Sequence, residues 1–320
     1  MYVDYQLTGV PKDRPGTGRP DKNGFIRLEM GGGLAKLNPE TGELKVFRLD
    51  DPTRPSIHEV FPTADGSSVW LTIQDQYEGR RPRQTNTIAP WPQFRNNDTE
   101  TIGSAPRTYT AVADPAGNIW ASGRPLKEFD IETKKYTNFP NVPDTYGIVV
   151  DKEGNIWARE FTARDYRKLV KVDSKTNKVT KYLPPNTDDQ LNGAPRRVKV
   201  DSQGYVWCAD YFGGNLTRFD PKTETFKIFK IPGPTATPYG MGVDHDDNVW
   251  YTSFYTDVTG RLDPKTGKFT EYPSPYGERS TRDLNEDSKG RIWYGAGSLF
   301  RVGYFRLRTT SEMAAVQGIK

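Results

Sequence analysis

Along this chain, short β-branched and aromatic runs alternate with polar turns, and the alternation repeats. The apolar run Gly147-Ile148-Val149-Val150 leads into a turn, Asp151 to Gly154, and then into Asn155-Ile156-Trp157. The same order spans Asp114 to Trp120, Asp201 to Trp207, Asp244 to Trp250 and Asp287 to Trp293. A looser copy ending at Trp70 has one residue extra, and a first copy, Asp21 to Arg27, carries Arg in the Trp position. Counted on that position, the copies lie 43, 50, 37, 50, 43 and 43 residues apart.

Each copy reads as two strands around a tight turn. Asp accepts hydrogen bonds from the turn backbone, and Gly supplies a positive φ without steric cost. The flanking residues suit a packed pleated surface. A second turn follows, as Asn38 to Gly42, Asp130 to Lys134, Asp173 to Asn177, Asp220 to Glu224 and Asp263 to Gly267. It predicts a hairpin into an outer strand such as Phe269 to Tyr272. Four strands in about 43 residues is blade length for a β-propeller, and one such unit cannot bury both faces alone. The predicted fold is therefore all-β: a seven-bladed propeller of four-stranded antiparallel blades.

We read residues 1–320 as one domain. The last unit lacks a fourth strand, and the alternating run Tyr2 to Leu7 is expected to fill it and close the ring. Residues 1–20 are thus a closing strand and loop, 75–103 an inserted loop, and 306–320 a polar tail. Strands are expected near Arg282 to Glu286, Arg291 to Tyr294 and Leu299 to Phe305. Long loops in compact domains are often functional, so the 77–100 segment, with Arg80, Arg81 and Arg83, is a candidate contact for a protein partner.

Composition narrows the classes. Gly 30 and Pro 25 suit many turns and few helices. The net charge of +4 carries no Lys/Arg block that would mark a nucleic-acid partner. A single Cys208 excludes an internal disulfide or a cysteine metal cluster. No apolar run is long enough to span a membrane.

The pattern Asp-x-x-Gly-Asn-Ile-Trp, with Gly260 to Pro273 as its closest single stretch, resembles the streptogramin (virginiamycin B) lyase family of seven-bladed propellers. It is similar, more loosely, to gluconolactonase-like propellers. The resemblance implies an exported protein that opens a cyclic depsipeptide with a histidine base and a divalent metal near the central axis. The family's catalytic histidines sit five residues before the turn Asp in the last two blades, and here those positions hold Tyr239 and Arg282. A phenol and a guanidinium, with pKa values near about 10 and above about 12, need large shifts to act as bases.

The same position read in every blade gives His58, Tyr109, Tyr146, Arg196, Tyr239 and Arg282, with Arg107, Arg197 and Arg279 near it. Its aromatic faces and guanidinium forks suit a small anionic, partly aromatic or cyclic ligand. The alternative is pairing with acidic neighbours from adjacent blades. His58 and Tyr239 are the candidate bases of an enzyme. Three residues after the Trp stand Glu160, Asp210 and Ser253; the first two are the candidate ligands of Mg²⁺ or Ca²⁺, or else salt-bridge partners of Arg159 or Arg197. His245 lies in an Asp-rich turn on the other face. Three functions follow: a lyase-like module without the histidine base that binds a small anion or a partner, an enzyme acting on a cyclic ester or lactone, and an interaction scaffold.

Overall fold

A computed structural model describes residues 2–6, 16–30, 33–48, 56–63, 69–74, 108–161, 167–185, 194–233, 235–274, 277, 280–299 and 301–317, with short strands between 77 and 104. Strand Tyr2–Gln6 and the strands between 77 and 104 are described as backbone. Among the described residues the strands form seven four-stranded antiparallel sheets and one two-stranded hairpin. Sheet 1 runs Gly18–Pro20, Ile26–Met30, Gly33–Leu37 and Leu44–Arg48. Sheet 2 runs Ser56–Pro62, Val69–Gln74, Thr87–Pro90 and Ile102–Ser104. Sheets 3 to 6 have their first strands at Thr108–Ala113, Thr145–Val150, Pro195–Val200 and Pro238–Val243. Sheet 7 holds Asn285–Glu286, Ile292–Ala296 and Arg301–Phe305. Its fourth strand is Tyr2–Gln6, paired antiparallel with Tyr2 opposite Phe305. First strands meet sheet to sheet in order, and Gly18–Pro20 meets both sheet 2 and sheet 7, so the ring is closed.

The repeated motif is a hydrogen-bonded device. In five sheets the indole Nε1–H donates to Oδ2 of the Asp six residues earlier: Trp120 to Asp114 at 3.0 Å, Trp157, Trp207 and Trp250 to Asp151, Asp201 and Asp244 at 2.7 Å, and Trp293 to Asp287 at 2.8 Å. The other carboxylate oxygen accepts from the turn backbone two and four residues on, as Asp151 does from Glu153 and Asn155. In sheet 1 the Arg27 Nε–H takes the indole's place, 2.7 Å from Asp21 Oδ2. In sheet 6 the turn's glycine is replaced by Asp247 at φ 65°. Its carboxylate accepts from the Ser202 N–H and hydroxyl of the neighbouring turn, at 2.7 and 2.6 Å. That contact offsets the cost of the left-handed backbone.

Each tryptophan then packs against the next sheet. Trp120 meets Ile148, Ile156 and Val170; Trp157 meets Val198 and Val206; Trp207 meets Met241 and Val249. Trp250 meets Leu284 and Ile292, and Trp293 meets Ile26 and Leu28 across the closure. Between sheets 1 and 2, where Arg27 replaces the indole, the cluster among the described residues consists of Leu34, Val60, Val69 and Leu71, with Phe47 against it. An indole so buried contributes about 4–6 kcal/mol gross by area.

Three expectations need correction. The stretch 75–103 carries the two outer strands of sheet 2 and the small hairpin Tyr77–Glu78 with Arg81–Pro82, rather than being only a loop. The first strand of sheet 7 is two residues long, not five. Upstream of it the backbone bonds to side chains instead of a ladder: the Thr281 carbonyl accepts from the Thr252 hydroxyl at 3.0 Å and the Arg282 carbonyl from Arg197 Nε at 2.7 Å. The tail forms a helix, Thr310–Gln317, capped reciprocally by Thr309 and Glu312.

Replacing Trp207 by Phe keeps most of the ring but leaves Asp201 Oδ2 without its buried donor. The expected loss is about 1–3 kcal/mol of unfolding free energy, with Trp207→Ala costing about 3–5 kcal/mol. Urea denaturation of both variants measures it; a Phe variant as stable as wild type would show that the indole N–H contributes nothing.

Candidate functional site

The Asp turns occupy one face of the ring, so the first strands begin, and the second strands end, at the opposite mouth. In sheets 2 to 6 the first strand breaks register near its start, between Ile57 and Glu59, Thr108 and Ala111, Thr145 and Ile148, Pro195 and Val198, and Pro238 and Met241. A bulge re-aims side chains out of strict alternation. Two successive positions therefore serve the centre of the ring instead of one.

The first position builds an aromatic cage. Tyr146 and Tyr239 are buried and their hydroxyls lie 2.6 Å apart. The Arg196 guanidinium, half-buried, sits 4.6 Å from the Tyr211 ring centroid, 4.8 Å from those of Phe161 and Tyr239, and 5.5 Å from that of Tyr146. Its Nε is buried without a hydrogen-bond partner, and no ion pair reaches the side chain among the described residues. Tyr109 and Phe254 complete the cluster. The expected ring thus brings Tyr109, Tyr146, Arg196 and Tyr239 together. Arg282 is exposed; its charge is felt at both His58 and Tyr146. Arg107 and Arg279 lie outside the described residues, as do the side chains of the 77–100 segment.

His58 lies edge-on to Tyr109 and Tyr146, at 5.7 and 5.9 Å between centroids. Its Nδ1 is 2.6 Å from the Tyr109 carbonyl. A carbonyl only accepts, so Nδ1 bears the proton and the lone pair is on Nε2. Burial pushes the imidazole down to about 4, assisted by the charges of Arg197 and Arg282 and opposed by Glu59. The ring is neutral at physiological pH. Burial also raises the Tyr146 phenol, and the adjacent Tyr239 adds to it.

The second position builds an ionic hub that sequence reading missed. Arg197, one residue after Arg196, is buried and sits 3.0 Å from Glu59 and 3.6 Å from Asp283. Arg19 reaches the same carboxylates at 2.6 and 3.4 Å, and Lys199 reaches Asp283 at 3.2 Å. The hub ties sheets 1, 2, 5 and 7 across the ring. Burial opposes ionisation of Asp283, but Lys199, Arg197 and Arg19 outweigh it and hold the carboxyl near about 2. Arg197 thus answers to the acidic-neighbour alternative, and Arg196 does not. Phe161, Tyr211 and Phe254 were also missed; each stands four residues after its tryptophan, one beyond the position taken as the metal ring.

Glu160 and Asp210 do not fit a divalent cation. Lys181 Nζ lies 2.6 Å from Glu160, and Arg159 and Thr217 both bond Asp210. Each carboxylate already has a cation, and among the described residues no three His, Cys, Asp or Glu side chains converge to hold a metal. His245 is exposed in its turn, 2.7 Å from Glu286. Cys208 is buried, and burial raises its thiol to about 11, as expected of an inert packing residue.

The model of the virginiamycin B lyase family matches residues 83–317. No curated protein sequence matches the chain. Among solved structures, a catalytically inactive virginiamycin B lyase from Staphylococcus aureus with quinupristin is similar at TM-score 0.79 and 16% identity, covering 96% of this chain and 99% of that one. A selenomethionine form of that lyase gives 0.76 and 16%, with the same coverage. The extracellular domain of a putative one component system from B. thetaiotaomicron gives 0.76 and 14%, covering 96% of this chain and 40% of that one.

Beside the hub, buried Glu29 accepts from the Thr17 N–H and hydroxyl at 2.6 and 2.8 Å. Burial, then the charge of Glu59, raises its pKa to about 7. The folded value exceeds the unfolded one, so its stabilisation is complete below pH about 4.5 and lost as pH rises through about 7. Glu29→Gln removes that dependence. Melting temperatures at pH 5 and pH 8 should show the stability of wild type, relative to the Gln variant, falling toward pH 8; a difference independent of pH would refute the buried titration.

Proposed function

Because the chain belongs to the virginiamycin B lyase family, we propose that it is a lyase-like propeller that binds a small anionic ligand at this mouth without the family's histidine base. The observation that carries this reading is Arg196, a guanidinium caged by four aromatic rings, with its Nε buried and without a partner among the described residues. Elsewhere around the mouth, Arg124 and Arg197 each have a carboxylate. A guanidinium held among ring faces keeps its donors in one orientation, so little ordering is left to the binding step. Arg282 adds a second, solvent-facing positive charge that attracts the same ligand. Tyr239 and Arg282 occupy the positions where the resemblance places imidazoles. The reading includes export, in keeping with extracellular domains among the structural relatives.

His58 supports a second reading, an enzyme acting on a cyclic ester or lactone. Its tautomer is set by the Tyr109 carbonyl, and Nε2 has no hydrogen-bond partner among the described residues. A base so depressed is weak, since efficient proton transfer wants a pKa near the working pH. This favours binding over turnover.

The two readings separate by experiment. Calorimetry with a panel of small carboxylates should give one saturable site, weakened about tenfold or more in Arg196→Ala and less in Arg282→Ala. Unchanged affinity in both variants would exclude the mouth as the site. Turnover of a streptogramin B or a lactone, lost in His58→Ala, would instead establish the enzyme.

A further inference from the structure

Resting on that reading of the mouth, we propose that the ligand is an aromatic carboxylate, its carboxylate on Arg196 and its ring against Phe212 and Tyr255. These two side chains are 56% and 71% exposed, among the few large apolar side chains that face solvent. They are not isolated. Phe212 and Tyr255 lie 4.7 and 6.1 Å from Tyr211, and Tyr255 lies 5.4 Å from Phe254. Tyr211 in turn is the ring nearest the Arg196 guanidinium. A continuous aromatic surface therefore runs from open solvent to one cation that has no partner among the described residues. A contiguous exposed apolar patch of this kind marks a binding surface, and stacked or edge-on ring geometry is what it offers.

The polar groups along that surface narrow the choice further. The Tyr146 and Tyr239 hydroxyls bond each other. That contact uses one of the two O–H donors, and the surface otherwise offers mainly ring faces and edges rather than the array of hydroxyl partners that a sugar acid needs. The Nε–H and a neighbouring Nη–H form a side-on fork that matches the two oxygens of one carboxylate. Within the cage, one guanidinium balances one negative charge. A dianionic phosphate would bring a second charge among the rings, and the other positive charge of the mouth, Arg282, faces solvent rather than the cage.

The test is calorimetry on the full chain with phenylacetate, phenylacetamide, acetate, inorganic phosphate and glucuronate. Phenylacetate should bind about tenfold or more tightly than each of the others. Arg196→Gln should erase its advantage over phenylacetamide. The double substitution Phe212→Ala with Tyr255→Ala, on exposed positions, should erase its advantage over acetate, with melting curves confirming that both variants fold. Acetate, phosphate or glucuronate binding as tightly as phenylacetate, or a preference that survives the double substitution, overturns the aromatic carboxylate while the anion site stands. Failure of every anion to bind overturns both.

Discussion

One hydrogen bond, from an indole N–H to an aspartate six residues earlier, organises this molecule. It links a turn to the strand that follows it, so the turn's geometry and the indole's orientation are set together. The aspartate has two oxygens and uses both: one closes the turn backbone, the other holds the ring. Fixed in that way, the ring presents its face to the neighbouring sheet, and sheets 3 to 7 are each locked to the next by their own tryptophan. A buried polar N–H would otherwise be a penalty in the same core. Arg27 demonstrates which part is indispensable. It keeps the hydrogen bond to Asp21 and gives up the apolar face, and among the described residues the cluster at the interface that follows is small.

A ring of sheets held at their flanks still needs a centre. Here the centre is ionic. Three cations and two carboxylates meet on the inner strands, drawn from sheets far apart in sequence. Buried ion pairs contribute modestly against a well-packed apolar alternative, but removing one partner leaves a buried charge and is severe. Their geometric consequence matters more. The bulge that lets Arg197 turn to the hub leaves Arg196 to the mouth, so consecutive arginines have opposite electrostatic fates. The close approach of the inner strands sets this spacing: a Cβ on Gly147 would lie 2.4 Å from the Arg196 carbonyl.

The repeat made the fold legible, because periodic turns and tryptophans report local chemistry directly. The closing strand was legible too, from a unit that lacked its fourth strand. The site was only half legible. Position counting found Tyr109, Tyr146, Arg196 and Tyr239, since each stands at a constant distance before its tryptophan. It missed Glu59 and Asp283, one residue later, because strict strand alternation assigns that residue to the opposite side, and the bulge cancels that rule. It offered Glu160 and Asp210 as metal ligands or as salt-bridge partners of Arg159 or Arg197, and so named Arg159 but not Lys181, which comes from a strand whose pairing a motif does not reveal. Charge near charge in sequence says little about which pair closes in space.

The contrast between Arg196 and Arg197 bears on what the mouth is for. A guanidinium stripped of water is tolerated when carboxylates replace that water, and Arg197 has two. Arg196, which is half-buried, has ring faces instead, and these attract a cation more weakly than a carboxylate does. Its Nε has no protein acceptor among the described residues. Glu59, Asp283 and Asp144 all lie on the same inner strands or their entries and are taken by other cations. Strain or unsatisfied polarity that the surroundings enforce is the usual mark of a site shaped for something that arrives later. An arriving carboxylate would supply the missing acceptor and the missing charge in one contact, which neither a neutral molecule nor a water can do.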